Sequence, residues 1–89
     1  MLEKKITIIN KLGLHARAAA KLIGTTSRFS ADIRLEKDGR EVDGKSIMSV
    51  MMLAASKGTE LTIKTDGEDQ TEAMQAIETI INNRFDEDE

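Results

Sequence analysis

The chain has 89 residues, suited to one small domain, with 39% hydrophobic and 33% charged residues, a net charge of −3, two aromatics and no cysteine. That balance excludes a disordered chain, and the missing thiols exclude a disulfide framework and a thiolate metal site. The acidic charge and scarce aromatic rings argue against nucleic-acid binding, which draws on basic faces and stacking side chains.

The opening MLEKKITIIN has no long apolar run, so neither a signal peptide nor a membrane span is expected. Ile6, Thr7, Ile8 and Ile9 form a β-branched run that predicts a strand ending near Asn10. A glycine-containing loop, KLGLH, follows. Ala16 to about Arg28 is alanine-rich, with Ala19, Leu22, Ile23 and Thr26 on one helical face. Ala31, Ile33 and Leu35 then alternate with Asp32, Arg34 and Glu36, the period of a strand with one wet face. Asp38-Gly39 is a hairpin signal, and Arg40 to Asp43 returns as a short strand with Val42 inward. Ser46 is placed to cap a short apolar helix from Ile47 to about Leu53, closed by Lys57-Gly58. Leu61 and Ile63 alternate with Thr62 and Lys64 in a fourth strand. Ala73, Met74, Ile77, Ile80 and Ile81 follow helical spacing. The acidic residues 86–89 oppose the helix dipole and are expected to fray. The order βαββαβα, in a single domain over residues 1–89, predicts a two-layer α+β fold.

Two stretches bear on phosphate chemistry. Residues 39–46, GREVDGKS, fit the pattern G-x-x-x-x-G-K-[ST] of a nucleotide-binding loop. That loop needs a buried strand before its first glycine and a long helix after its serine. Here the glycine falls in a hairpin turn, and Glu41 and Asp43 would repel a triphosphate, so the match is read as accidental. The other stretch holds the only histidine, His15, in LGLHARA. It falls where the loop meets the first helix. The amides of Ala16, Arg17 and Ala18 there lack intrahelical partners and carry partial positive charge. An anion on His15 would sit at that helix end, and the guanidinium of Arg17 adds donors matched to phosphate. The same field favours a neutral ring, whose free nitrogen can attack phosphorus. The plainer reading is a polar loop residue capping an amide.

KLGLHAR with its alanine-rich helix, paired with DGKSIMSVMMLAASKG some thirty residues later, resembles the HPr family of histidine-containing phosphocarriers over essentially the whole chain. The resemblance implies an HPr-like open-faced β-sandwich, a four-stranded antiparallel sheet with three helices on one face. It implies a cytoplasmic carrier, not an enzyme, that accepts a phosphoryl group from enzyme I and passes it to an enzyme IIA, without cofactor or metal. The family's acceptor falls on His15, its phosphate-stabilising arginine on Arg17, and the regulatory serine of many members, a target of HPr kinase/phosphorylase, on Ser46. It favours a partner interface at Ala20, Ile47, Met48 and Met51 on a monomeric protein, with no nucleic acid or membrane partner. HARAAAKL and INNRFDEDE look most like the nitrogen-related branch, NPr; the alternatives are a sugar-branch HPr and a regulatory binding module of the same fold. The family usually has proline where this chain has Ala18, so phosphorylation is expected to persist with altered stability.

Overall fold

The computed structural model describes residues 1–88. Its elements are β1 (Leu2–Thr7), α1 (Ala16–Thr26), β2 (Asp32–Lys37), β3 (Arg40–Asp43), α2 (Ile47–Met52), β4 (Glu60–Asp66) and α3 (Gln70–Asn82), followed by a short turn at Arg84–Asp86. The strands form one antiparallel sheet in the order β1-β4-β2-β3. Alternation fixes its faces. Ile33 and Leu35 of β2 and Leu61 and Ile63 of β4 are fully buried, and the register sets Leu35 beside Ile63. They meet Leu22 of α1, Val50 of α2 and Ile77 and Ile81 of α3 in one core. Burying each such side chain contributes on the order of 1.5–3 kcal/mol. The opposite sheet face is wet. There Lys64 donates to Glu36 (3.0 Å) and Glu41 (2.8 Å), and these bonds raise its pKa well above the usual lysine range.

The first strand begins and ends earlier than the β-branched run predicts. Lys4 shares the helix-side face with Ile6 and breaks the hydrophobic pattern there. It escapes burial by reaching Glu78 of α3 at 2.6 Å, with half of its side chain still exposed. This is how a long cationic chain lies along an apolar face while its charge stays wet. Ile8 leaves the regular ladder yet stays buried, exchanging backbone hydrogen bonds with the chain at Gly58 and Thr59.

The hairpin at Asp38-Gly39 has positive φ at both residues (52° and 84°), the twist that joins β2 to β3. It also disposes of the nucleotide-loop match. The first glycine is a hairpin tip, a strand fills the spacer, and the Lys45 ammonium donates to the carbonyl of Phe29 at 2.6 Å. Gly44 abuts Ile33, where a Cβ would come within 2.6 Å of its Cγ2.

Beyond α3 the chain does not splay away, as the acidic tail would suggest. Arg84, Phe85 and Asp86 all have positive φ (56°, 53° and 62°), which costs energy in side-chain-bearing residues. Phe85 is fully buried in the core and fixes this left-handed turn. The turn sends Glu87 back across the start of α1. Glu89, the last residue of the expected frayed segment, lies outside the described residues.

Candidate functional site

The loop before α1 is fixed on both sides. Gly13 has φ 69°, and a Cβ there would lie 2.6 Å from the carbonyl oxygen of Ala55. Only glycine combines that backbone angle with so close an approach. Leu14 N–H donates to the same carbonyl at 2.8 Å. Within the loop, the fully buried Asn10 donates its Nδ2 to Gly13 O at 2.8 Å.

That framework delivers His15 as the N-cap of α1, with extended backbone angles (φ −74°, ψ 178°). Its carbonyl accepts the first helical bond, from Ala19 N–H at 2.8 Å. Its ring makes no capping bond. The side chain keeps 27% of its exposure. Ala16 and Arg17 are exposed beside it, whereas Ala18 is fully buried, so the open part of the helix end is its first two residues. Arg17 lines an open cleft with Leu12, Lys21 and the acids Asp86, Glu87 and Asp88.

Glu87 is the residue that sequence reasoning did not single out. Its Oε2 lies 2.6 Å from His15 Nε2, and its Oε1 accepts from Asn10 Nδ2 at 2.9 Å. Both partners of the Asn10 amide are acceptors, which fixes its nitrogen toward them and leaves its buried Oδ1 without a partner among the described residues. The hydrogen bond from Asn10 is the main cause that holds the Glu87 carboxyl below its usual range. Burial opposes it, and the His15 contact and the Arg17 charge add to it. Asn10 is 77 residues distant and carries no motif of its own; only the acidic run near the C-terminus hinted that a carboxylate was available.

The remaining predicted positions lie on α2 and on the outer side of α1. Ser46 caps α2, its Oγ accepting from Ser49 N–H at 3.3 Å. Val50 and Leu53 are core, as their spacing suggests, while Met48 is 70% exposed and Ile47, Met51 and Met52 stand out with it. Ala20 is exposed on α1. Leu12, 68% exposed beside the histidine loop, is an apolar surface residue the sequence reading passed over. Among the described residues no helix is long and apolar enough to cross a membrane.

This arrangement, a four-stranded sheet backed by helices with a histidine capping the first of them, is that of a histidine phosphocarrier. A family model described as the PTS HPr component phosphorylation site matches residues 2–83. The phosphocarrier protein HPr of Xylella fastidiosa is 56% identical over 88 residues, covering 99% of both chains, and that of Pseudomonas aeruginosa is 58% identical over 86 residues, covering 96% of both. A crystal structure of HPr from Thermoanaerobacter tengcongensis superposes over the full length of both chains with a TM-score of 0.96 at 43% identity. One from Bacillus anthracis gives 0.87 at 42% identity, covering 90% of this chain and 95% of its own. The chain belongs to the HPr family of phosphocarriers of the phosphotransferase system.

Proposed function

We propose that His15 is the phosphoryl acceptor of this carrier, taking the group from the phosphohistidine of enzyme I and yielding it to a histidine of an enzyme IIA. The single observation that supports this is the placement of His15: a solvent-accessible imidazole, uncommitted to capping, at the N-terminus of an eleven-residue helix. The Nδ1 lone pair forms the new bond to phosphorus while the donor nitrogen leaves with its electron pair. The phosphoryl oxygens meet the open amides of Ala16 and Arg17 and the guanidinium of Arg17. Ala18 contributes through the same turn, from its buried place behind them. Positioning and charge do the work of the transfer, and the protein is a covalent intermediate rather than an enzyme.

Docking is assigned to the surface of Ala20, Ile47, Met48 and Met51. Exposed methionines make an adaptable surface suited to two successive partners. HARAAAKL and INNRFDEDE support the nitrogen-related regulatory branch over the sugar branch. Ser46 is half-buried in its capping role; phosphorylation there by an HPr kinase would add charge beside the docking surface. The carrier acts as a cytoplasmic monomer.

The test is incubation with phosphoenolpyruvate and enzyme I, using the chain and its His15→Ala variant, with enzyme I from each branch in turn. Label should enter only the unsubstituted chain, and faster from the nitrogen-branch donor. Equal labelling of the variant removes His15 from the reaction. Faster transfer from the sugar-branch donor reassigns the branch.

A further inference from the structure

We infer that Glu87 is a positioning residue for phosphoryl transfer: its carboxylate holds the proton of His15 on Nε2 and so presents Nδ1 unprotonated to the incoming phosphorus. This rests on His15 being the acceptor.

Chemistry assigns the proton. A carboxylate only accepts hydrogen bonds, so the nitrogen 2.6 Å from Glu87 Oε2 must carry the hydrogen. In a neutral imidazole the other nitrogen then bears the lone pair. Nδ1 is not spent on the helix, since His15 makes no side-chain capping bond. The carboxylate is itself held. Its second oxygen is bound by Asn10, whose side chain is fully buried and also tied to the loop carbonyl of Gly13. The left-handed turn anchored by the buried Phe85 brings Glu87 into reach, leaving its side chain only 14% exposed. Glu87 lies beyond residue 83, where the family model's match ends.

The step balances without moving a proton. Nδ1 donates its lone pair to phosphorus, the donor nitrogen takes back the electron pair of the bond that breaks, and Nε2 keeps its hydrogen. The phosphorylated ring then carries positive charge, and the carboxylate faces that charge from the side remote from the phosphoryl oxygens. A buried acid behind the imidazole of a hydrolytic triad has the same two effects, fixing a tautomer and stabilising the charged ring.

Two measurements on the full-length chain test this. The first is the nitrogen-15 spectrum of the His15 ring at a pH where it is neutral, in the unsubstituted chain and in Glu87→Ala and Glu87→Gln. The second is the rate of phosphoryl acceptance from phosphorylated enzyme I for the same proteins, with Glu87→Asp as the conservative rescue. The Nε2–H tautomer should dominate in the unsubstituted chain and lose ground in Glu87→Ala. Acceptance by that variant should slow by about ten-fold or more in kcat with KM unchanged, the scale seen for carboxylates that orient metal-bound imidazoles, and Glu87→Asp should recover part of it. If Glu87→Ala does not fold, the near-isosteric Glu87→Gln carries the same criteria. An unchanged tautomer ratio with an unchanged rate overturns the inference, and so does a faster rate, which would make Glu87 an obstructing cap. His15→Ala runs alongside: label entering it counts against the acceptor assignment, whereas a dead His15→Ala with a fully active Glu87→Ala counts against Glu87 alone.

Discussion

Glu87 and His15, 72 residues apart in the chain, meet at 2.6 Å, and their contact closes the fold over the start of α1. The helix end there carries partial positive charge. His15 thus has Nε2 on the carboxylate, while its ring makes no capping bond to the helix it precedes.

Phe85 makes that contact possible. It is fully buried and lies at the centre of three consecutive positive-φ residues. Phe85→Ala should cost about 3–5 kcal/mol of stability, the usual range for deleting a buried ring. It should also release Glu87. Chemical denaturation measures the first effect. The milder Phe85→Leu, which should leave the domain folded, should show a weakened His15–Glu87 contact in the ring's nitrogen-15 spectrum.

Met48 is exposed enough to separate docking from folding. Met48→Ser should change stability by less than about 0.5 kcal/mol, as expected of a surface position. It should raise the apparent KM for phosphorylated enzyme I. Ile47 and Met51, half as exposed, should show both effects when made polar. An unchanged KM for all three would move the docking surface elsewhere.

Ala18 stands where the resemblance to the family leads one to expect proline. It lies in the first turn, where no intrahelical bond needs its N–H. Ala18→Pro should stabilise the domain by about 0.4–1 kcal/mol through the unfolded chain, read as a rise in Tm, with phosphoryl acceptance retained. A fall in Tm would mean that the buried site is too tight for the ring.

Asp69 is expected to make the fold's stability depend on acid pH. It precedes α3 and accepts from Ser30 N–H (2.9 Å), Ala31 N–H (2.8 Å) and the Ser30 hydroxyl (3.3 Å). The Ser30 backbone bond is the main cause that holds its pKa below the ordinary 3.8, with burial opposing. A carboxyl with a depressed folded pKa contributes stability that is complete above the unfolded value and is lost as pH falls through the folded one. Asp69→Asn should therefore be less stable than the parent at neutral pH, and the gap should shrink on acidification below 3.8. Unfolding midpoints measured across that range check the sign; a gap constant with pH would contradict it.

Local pattern carried most of the fold. The alternation in β2 and β4, the Asp38-Gly39 hairpin and the spacing of Ala73, Ile77 and Ile81 appear as expected. Where Lys4 interrupts a strand face, the pattern fails, because its partner Glu78 belongs to the last helix and no window around Lys4 contains it. The same limit governs the site. The loop that places His15 is legible, since Gly13 and the alanine-rich helix are its neighbours. Asn10 and Glu87 act across the whole length of the chain, through a left-handed turn built from residues that seldom adopt it. Their meeting is a product of tertiary packing.

The location of the phosphoryl group tests the central claim most directly. The chain, labelled with nitrogen-15 in its single histidine, is phosphorylated by enzyme I and phosphoenolpyruvate, and phosphorus–nitrogen coupling is read by NMR. A single phosphoramidate on Nδ1 of His15, with Nε2 still bearing its hydrogen, is the predicted result. Phosphorus bonded to Nε2, or to any residue other than His15, would contradict it.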